Sequence, residues 1–409
     1  MKKILIIHTN YQNLGGEDTA VISEQNFLSQ YYDVRTLRFQ NNVDSIYKQA
    51  IYFLTNNNKE SMKILQEEID NFNPDIAYVH NTWFKASIGI FKILNQNNIK
   101  TFLKLHNFRY HCTKSFFSSN HLSNSKLISK NLDTDNIFCL ACGSSKKSLG
   151  FFNKYYSDSY IKSFLINLYG IKYLNYLKMS DVKLFVLTNF HKEFLLDNGI
   201  NEDRVIVFPN YLSKAKKKKN INLGDNEYIV YAGRISKEKG LNELISSFLE
   251  ANEKNYHLKI IGNGPLLKSL KEKYQGSEYS EIEFLGELRN DKVLDIISGS
   301  KGVVTSTKLL EGQPMLLCEA SIMGIPAIFP KSGGISEFFP KDYKLSFEQF
   351  NYEQLESKIK ILTSNQNITS KSDVNNQNQE NLGDKNKEYI QGYLDKKRLI
   401  MLFEECVNG

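Results

Sequence analysis

Short apolar runs alternate with helix-period segments along the chain, and this alternation constrains the fold more than any other feature. Several runs are continuously apolar, as expected for parallel strands buried on both faces. Strands are predicted at residues 3–9, 34–39, 76–80, 101–106, 184–188 and 205–210, and again at 228–232, 258–262, 282–286, 302–306 and 327–330. Helices are predicted at 17–30, 85–96, 191–198, 241–251, 265–274, 291–298, 314–323 and 335–339. Repeated strand–helix units predict an α/β fold with doubly wound sheets.

The two series of strands predict two domains, since 409 residues exceed one ordinary core. We expect an N-terminal Rossmann-like domain at 1–212, a linker at 213–224 with the lysine run 216–219, and a second Rossmann-like domain at 225–388. The two domains should face each other across a cleft. An amphipathic helix at 389–409 can cross back to the first domain, and the polar stretch 364–388 predicts a mobile loop or a long polar connection.

Bulk composition is that of a soluble globular protein, with 41% hydrophobic and 24% charged residues. No apolar stretch approaches the roughly 18 residues of a membrane span. The apolar part of residues 1–8 is too short for a signal peptide, so a cytoplasmic location is expected. Five cysteines in a chain of this length do not suggest a disulfide framework.

Positive charge is concentrated in the first half. The net charge is +7 for the whole chain, with +7 in residues 1–215 and −4 in residues 220–409. A basic half suits an anionic surface, such as a membrane leaflet or a lipid phosphate. A solvated basic face is the alternative, and the absence of a recognised nucleic-acid motif argues against nucleic acid.

Two carboxylates, Glu311 and Glu319, flank a predicted strand-to-helix turn. Pro314 suits the first position of the helix, because its missing N–H needs no acceptor there. Glu319 then lies about a turn and a half into the helix, roughly 8 Å along its axis. The amides and the positive dipole end of the helix lie between the carboxylates and favour phosphate. Hydroxyl-binding carboxylates around an anion site predict a nucleotide-sugar ligand.

Two cations follow the first strand of the second domain. Gly233 permits a tight turn, and Arg234 and Lys239 leave it close together. Ligands of open α/β sheets bind outside the carboxyl ends of the strands, and Arg can hold a diphosphate bidentately. Surface salt bridges are the alternative reading, but the neighbouring pair of glutamates favours phosphate binding.

Three further turns follow strands of the second domain. The turn that contains Gly262 is glycine-rich but lacks the third glycine of a dinucleotide fingerprint. The backbone around Leu288 can receive a flat nucleobase. The segment from Ser332 to Glu337 contains two glycines and is compatible with an anion.

The order of these motifs resembles glycosyltransferase family 4. The resemblance covers nearly the whole chain and is most specific at residues 230–340. It implies the GT-B fold, transfer of sugar from nucleotide donors and retention of anomeric configuration. It also implies that Arg234 and Lys239 stabilise the diphosphate leaving group, that Glu311 binds hydroxyls of the donor sugar and that Glu319 binds the ribose.

The same resemblance places the amides of Met315 and Leu316 against the donor phosphate. Many family members have Glu-x-Phe-Gly where this chain has Glu-Gly-Gln-Pro. Gly312 and Gln313 therefore belong to the implied donor site in a variant form. The sugar that Gln313 recognises is left open.

In the first half, Gly15 and Gly16 match a Gly-Gly-x-Glu loop that family members carry beside the donor phosphates and the acceptor. A plain turn before a helix is the alternative. His106 matches a strand-end histidine and is expected to bond a donor or acceptor hydroxyl, with a structural role as the alternative. For His80 the structural role is favoured. Arg109 is a candidate for an acceptor phosphate.

No metal or other cofactor is expected in catalysis, with a UDP- or GDP-sugar as the donor substrate. Asp133 and Asp135 lie in a polar stretch without a preceding strand, which argues against a metal site. A structural zinc at Cys112, Cys139 and Cys142 is a secondary possibility, and reduced thiols are favoured over it.

The segment 155–180 places Ile161, Phe164, Leu165, Leu168 and Ile171 on one predicted helix face, among lysines. This face can rest in a membrane interface beside a lipid-linked acceptor, or it can pack on the core.

The sequence thus predicts a retaining hexosyltransferase that extends a surface polysaccharide, such as capsule, lipopolysaccharide or exopolysaccharide, on a glycan or lipid-linked acceptor. Peripheral contact with the inner membrane surface is compatible with this prediction. A nucleotide-sugar epimerase and a catalytically silent GT-B partner are the alternatives.

Overall fold

The computed structural model describes residues 1–10, 16–40, 45–83, 85–113, 117–118, 159–212, 227–251, 256–364 and 382–409, without the side chains of Ile46, Gln49 and Phe53. The chain divides into two compact units, Met1–Ser213 with Leu394–Gly409, and Lys214–Tyr393. The predicted linker 213–224, its lysine run and most of the polar stretch 364–388 lie outside the described residues.

The first unit contains a six-stranded parallel sheet in the order β2-β1-β3-β4-β5-β6. Its strands are β1 (Lys3–Asn10), β2 (Asp33–Gln40), β3 (Ile76–Val79), β4 (Lys100–Leu105), β5 (Lys183–Val186) and β6 (Val205–Val207). Its helices are α1 (Gly16–Leu28), α2 (Ile46–Thr55), α3 (Lys59–Phe72), α4 (Ile90–Gln96), α5 (Tyr160–Met179), α6 (Asn189–Asp197) and α13 (Lys396–Asn408), the last from the chain's end.

The last helix completes the core of the first unit. Leu399, Phe403 and Val407 of α13 are buried in one cluster with Ile4 of β1 and Phe102 of β4. These three positions recur at helical spacing, so one face of α13 covers the sheet. The C-terminal segment therefore folds with the N-terminal unit, and about 180 intervening residues separate it from the rest of that unit in sequence.

Two helices of the first unit, α2 and α3, lie where no element is predicted, between β2 and β3. The predicted helix 85–96 starts only at Ile90. Its first residues cannot be helical because Ser87 has a φ of +62°, a left-handed conformation that interrupts an α-helix. The structure thus corrects the number and the boundaries of the helices in this part of the chain.

The second unit contains another six-stranded parallel sheet, in the order β12-β11-β10-β7-β8-β9. Its strands are β7 (Tyr228–Ala232), β8 (His257–Ile261), β9 (Ile282–Gly286), β10 (Gly302–Val304), β11 (Ala327–Lys331) and β12 (Ser346–Glu348). Its helices are α7 (Leu241–Ala251), α8 (Leu267–Lys273), α9 (Asn290–Ser298), α10 (Met315–Ile322), α11 (Tyr352–Thr363) and α12 (Leu382–Tyr393).

The C-terminal region differs from prediction in three ways. Strand β12 and helix α11 are additional elements. The single predicted helix at the C-terminus is two helices, because Asp395 starts α13 as its N-cap and accepts a hydrogen bond from the amide of Arg398. The predicted boundary at residue 388 therefore falls inside α12, and the division lies between Tyr393 and Leu394.

Helix α5 is buried on a different face from the one that sequence periodicity suggested. Its buried positions include Ile166, Tyr169, Tyr173 and Leu177, while Ile161 is 73% exposed. Of the predicted apolar face, Leu165 is buried, Phe164 is exposed, and Leu168 and Ile171 are intermediate. The buried face contains the aromatic residues Tyr169 and Tyr173, and the exposed face also carries apolar residues. Because both faces are apolar, the periodicity of the sequence did not show which face is buried. Among the described residues, no helix is both long and apolar enough to span a membrane.

Candidate functional site

The strand order of the second sheet reverses between β7 and β10, which are hydrogen-bonded neighbours. Ligands of doubly wound sheets bind outside the carboxyl ends of the strands at such a switch point. Lys239 follows β7 and Glu311 follows β10, and Lys239 Nζ lies 2.5 Å from Glu311 Oε1. The structure thus brings together two of the predicted site residues at the place where the topology creates a crevice.

The turn after β7 is fixed by backbone contacts. The amide of Gly233 donates to Ile261 O (3.0 Å) and the phenol of Tyr231 donates to Arg234 O (2.9 Å). A 3-10 turn, Lys237–Lys239, then ends at Gly240, whose φ is +69°. A Cβ on Gly240 would stand 2.3 Å from Ser306 O, so only glycine lets the two loops approach this closely.

Glu311 is held by two donors and a turn. Thr307 Oγ1 donates to the same Oε1 (2.9 Å) that Lys239 contacts. Burial alone would raise the pKa of Glu311, but the Lys239 charge and the hydrogen bonds from Lys239 and Thr307 lower it below its usual value. Gly333 packs against the backbone of Glu311, because a Cβ added to Gly333 would lie 2.3 Å from Glu311 O. The carboxylate is therefore ionised and fixed in place.

Glu319 has the opposite electrostatic character. It lies on α10, which begins at Met315, and is partly buried. Burial raises its pKa to about 7, and a hydrogen bond from Asn290 only partly offsets this. Two carboxylates eight residues apart thus differ in charge near neutral pH, because one has a cation as partner and the other has an amide.

Helix α10 points its N-terminus toward the loop that carries Glu311. Pro314 is its N-cap, and the first intrahelical bond joins the amide of Cys318 to Pro314 O (3.0 Å). The amide of Leu316 therefore has no acceptor within the helix. Gln313 is 8% exposed, and Gly312 is half-buried beside it. The helix N-terminus that the sequence predicts after Glu311 is therefore present.

Arg234 is exposed, and no carboxylate of a described residue lies within ion-pair distance of it. Its guanidinium is therefore available to an anion. Gly262, at the end of β8, has a φ of +135°, and a Cβ there would overlap Gly233 O. Its amide donates to Gly286 O (2.8 Å). Leu288 follows β9 and is half-buried.

The first unit has a pair of histidines that follow β3 and β4, next to its own switch point between β1 and β3. His80 Nδ1 and His106 Nε2 lie 2.8 Å apart with their rings stacked. Burial, and then nearby positive groups, lower the pKa of both rings well below the usual value. Both imidazoles are therefore neutral at pH 7.

The neighbours of His80 assign the protons in this pair. His80 Nε2 lies 3.9 Å from a Glu24 carboxylate oxygen, and Glu24 is paired with the buried amine of Lys104 and accepts from the phenol of Tyr78 (2.8 Å). A nitrogen lone pair would be repelled by this carboxylate, so His80 carries its proton on Nε2. His80 Nδ1 then accepts from His106 Nε2–H, and His106 Nδ1 is left as an acceptor.

Several other predicted site residues lie outside the two side-chain pairs described above or outside the described part of the chain. Gly16 opens α1 and is exposed, and Gly15 lies outside the described residues. The guanidinium of Arg109 lies 5.8 Å from the ring centroid of Trp83. Cys112 is buried, but Cys139, Cys142, Asp133 and Asp135 are not described, so the zinc prediction stays a prediction. Within the described residues no group of three or more His, Cys, Asp or Glu could hold a metal.

Four residues of these sites were missed at the level of sequence: Glu24, Lys104, Asn290 and Thr307. Thr307 lies four residues before Glu311 and could have been noticed as a local partner. The others come from distant segments. Asn290 reaches Glu319 from α9, and Glu24 and Lys104 are 80 residues apart. Nothing in their spacing signals the contact.

Comparison with known proteins finds a family match by sequence in the second unit. Residues 213–382 match the family described as "Glycosyl transferases group 1". An uncharacterized glycosyltransferase of Methanocaldococcus jannaschii is 25% identical over 241 residues, which are 59% of this chain and 61% of that protein. The O-antigen biosynthesis glycosyltransferase WbnH of Escherichia coli is 30% identical over 173 residues, which are 41% of this chain and 46% of that protein.

The matched segments therefore span about half of the curated relatives. Solved structures match over the whole chain. The lipopolysaccharide outer core galactosyltransferase WaaB has a TM-score of 0.60 at 14% identity, covering 98% of this chain and 99% of its own. Anabaena HepE, solved with UDP and glucose, has a TM-score of 0.65 at 13% identity, covering 100% of both chains. These likenesses establish the GT-B fold, as the sequence predicted.

Proposed function

We propose that this chain is a cytoplasmic retaining hexosyltransferase that moves a sugar from a nucleotide-sugar donor to a glycan or lipid-linked acceptor during synthesis of a surface polysaccharide. The family match of residues 213–382 and the relatives named for O-antigen and amylovoran biosynthesis support the reaction class. The observation that carries the proposal is the Lys239–Glu311 pair at the switch point, beside the N-terminus of α10.

Lys239 and Arg234 are proposed to bind the diphosphate. The Lys239 side chain is 26% exposed, so it is accessible to a second anion besides Glu311. Arg234 is exposed and supplies a planar pair of donors. The amides of Met315 and Leu316 at the start of α10 add a third source of positive potential. Together they favour the charge that develops on the departing phosphate.

Glu311 and Glu319 are proposed to hold hydroxyl groups at the two ends of the donor. Ionised Glu311 is an acceptor only, which suits hydroxyls of the sugar. Glu319 would accept from the ribose hydroxyls. Because its pKa is about 7, it binds two hydroxyls well only when the medium is neutral or alkaline. Gln313 and Gly312 stand between them and are the candidates for sugar preference, and Gly233, Gly262 and Leu288 shape the nucleotide side.

The proposed chemistry is a front-face displacement. The bond between the anomeric carbon and the phosphate oxygen breaks, the acceptor oxygen bonds to that carbon from the same face, and the departing phosphate oxygen takes the acceptor's proton. This route needs no enzyme base and no covalent sugar intermediate, so it asks the protein mainly for charge stabilisation. It also needs no metal, since Arg234 and Lys239 balance the phosphate charge.

His106 is proposed to orient a hydroxyl of the donor sugar or of the acceptor. Its imidazole is neutral. Because its Nε2–H donates to His80 Nδ1, its Nδ1 carries the lone pair and can accept a hydrogen bond. A neutral acceptor aligns a hydroxyl without adding a positive charge near the anomeric carbon.

The test is release of nucleoside diphosphate from a panel of UDP- and GDP-sugars, with and without sugar acceptors. Release only in the presence of acceptor, with the α or β configuration of the donor kept in the first product seen by proton NMR, supports the proposal. Activity should persist with a metal chelator. A changed sugar without acceptor would point instead to an epimerase, and diphosphate binding without turnover to a silent partner protein.

A further inference from the structure

Large apolar side chains are exposed along one stripe of α2. Tyr47 is 84% exposed, Ile51 is 55% exposed and Leu54 is 51% exposed. Their spacing of four and three residues puts them on one side of the helix. Isolated exposed apolar residues are common on protein surfaces and need no explanation, but a contiguous set points to an interaction site.

Helix α5, which packs along α2, has a similar stripe. Ile161 is 73% exposed and Phe164 is 48% exposed, and Leu168 and Ile171 continue the line as partly exposed residues. The two helices are joined by Lys172, whose Nζ donates to Leu54 O (2.5 Å). We call the set Tyr47, Ile51, Leu54, Ile161 and Phe164 the outer helix face.

Exposure of large apolar side chains is concentrated in this pair of helices. Thirteen such side chains are exposed among the described residues, and seven of them lie on α2 or α5. These helices make up only 30 residues of the chain. Chance scatter over the surface would not give this concentration, so the face is a distinct surface of the first unit.

The charges of the two helices are all positive. Lys48 lies on α2, and Lys162, Lys172 and Lys178 lie on α5, with no Asp or Glu in either helix. The nearest acidic residues along the chain are Asp44 and Glu60 on either side of α2, and Asp158 and Asp181 on either side of α5. A protein partner would favour a surface depleted in lysine. Apolar side chains between lysines instead match the acyl boundary and the anionic headgroups of a lipid leaflet.

We infer that the outer helix face docks the first unit onto an anionic lipid bilayer, with Ile51 and Ile161 inserted at the headgroup boundary and the four lysines near lipid phosphates. This inference is independent of the sugar-transfer proposal, since it concerns a different surface and needs no nucleotide. Binding should be reversible, because a few inserted side chains and lysines give weak attachment compared with a membrane span.

The test is co-sedimentation of the full chain with vesicles of phosphatidylglycerol and phosphatidylcholine, against vesicles of phosphatidylcholine alone. We expect binding to the anionic vesicles that weakens as salt is raised. The double substitution Ile51→Ser and Ile161→Ser should lower the partition coefficient about tenfold or more, because it removes two inserted apolar side chains. Met401→Ser, which changes a side chain that is 59% exposed on α13, is the matched control and should bind as the unchanged protein does.

Depth of insertion gives a second measurement. The chain has one tryptophan, Trp83, which is 5% exposed. An Ile161→Trp variant should be quenched by brominated acyl chains, whereas a Met401→Trp variant should not. Equal vesicle binding by the serine variant and the unchanged protein, or no binding to anionic vesicles by a folded protein, overturns the inference. Loss of self-association in the serine variant, without vesicle binding, would assign the face to a second copy of the chain.

Discussion

Lys239 Nζ and Glu311 Oε1 lie 2.5 Å apart although 72 residues separate the two residues in the chain. The contact exists because β7 and β10 are neighbours in the sheet, so the loops at their carboxyl ends meet. The same contact lowers the pKa of Glu311. The Lys239 side chain remains partly exposed, so it can also contact a bound anion. One ion pair therefore links the two motifs that carry the proposed chemistry.

Removing either member of this pair should abolish most sugar transfer. Lys239→Ala removes charge stabilisation of the leaving group, and Glu311→Gln removes the ionised acceptor, so we expect kcat/KM to fall about 100–1000-fold in each variant. The assay is release of nucleoside diphosphate with acceptor. Lys331→Ala, which breaks an exposed pair with Glu348 (2.8 Å), is the control. Full activity in Lys239→Ala or Glu311→Gln would contradict the assigned roles.

Stability should depend on pH through Glu319. Its pKa is raised from 4.5 to about 7 in the folded protein, so the folded state binds this proton more tightly than the unfolded chain. The contribution is fully present below about pH 4.5 and is lost as pH rises through about 7. Glu319→Gln cannot ionise, so it should gain stability relative to the unchanged protein as pH rises, reaching about 3 kcal/mol at pH ~8.

The measurement for Glu319 is chemical denaturation between pH ~4.5 and ~8. Glu353→Gln, at an exposed position on α11, is the control and should show no such pH dependence. A constant difference between Glu319→Gln and the unchanged protein over this range would rule out the raised pKa. Glu319→Gln should bind the nucleotide more weakly than the unchanged protein, because it loses the carboxylate proposed for the ribose.

The close approach of the two loops should depend on Gly240. Its φ of +69° is unfavourable for alanine, and the added Cβ would meet Ser306 O at 2.3 Å. Gly324→Ala is a matched control, since Gly324 has a φ of +78° but its added Cβ would meet nothing nearer than a flexible Asp384 oxygen at 3.4 Å. We expect Gly240→Ala to be less stable than Gly324→Ala by about 2 kcal/mol, measured by denaturation. Equal stability would show that the loops can separate freely.

The protonation pattern of the histidine pair can be measured directly. Nitrogen NMR of the imidazole rings should show His106 and His80 both protonated on Nε2 at neutral pH. Glu24→Gln should lose this preference, because the charge that repels the His80 lone pair is gone. A His106 ring protonated on Nδ1 in the unchanged protein would contradict the assignment. His106→Phe should reduce sugar transfer, because it removes the proposed acceptor nitrogen Nδ1.

Much of the fold followed from local pattern. Continuous apolar runs gave every strand of the two sheets except β12 within a few residues, because a strand buried on both faces has no polar alternation. The helices between β2 and β3 escaped notice, since α2 carries apolar side chains on its exposed side. The helix predicted at 85–96 starts later because Ser87 has a positive φ, which the residue type serine does not predict.

The sequence by itself determined the α/β class, the two sheets, and the motifs with Arg234, Lys239, Glu311 and Glu319, because these depend on residue type and short spacing. Only the tertiary structure decided which charges meet. The Lys239–Glu311 contact depends on strand order, and the pKa of about 7 for Glu319 depends on burial. Likewise, burial of the aromatic side of α5 decided that Ile161 lies outside. Long-range contacts and burial arise from packing between distant segments, which short sequence patterns do not encode.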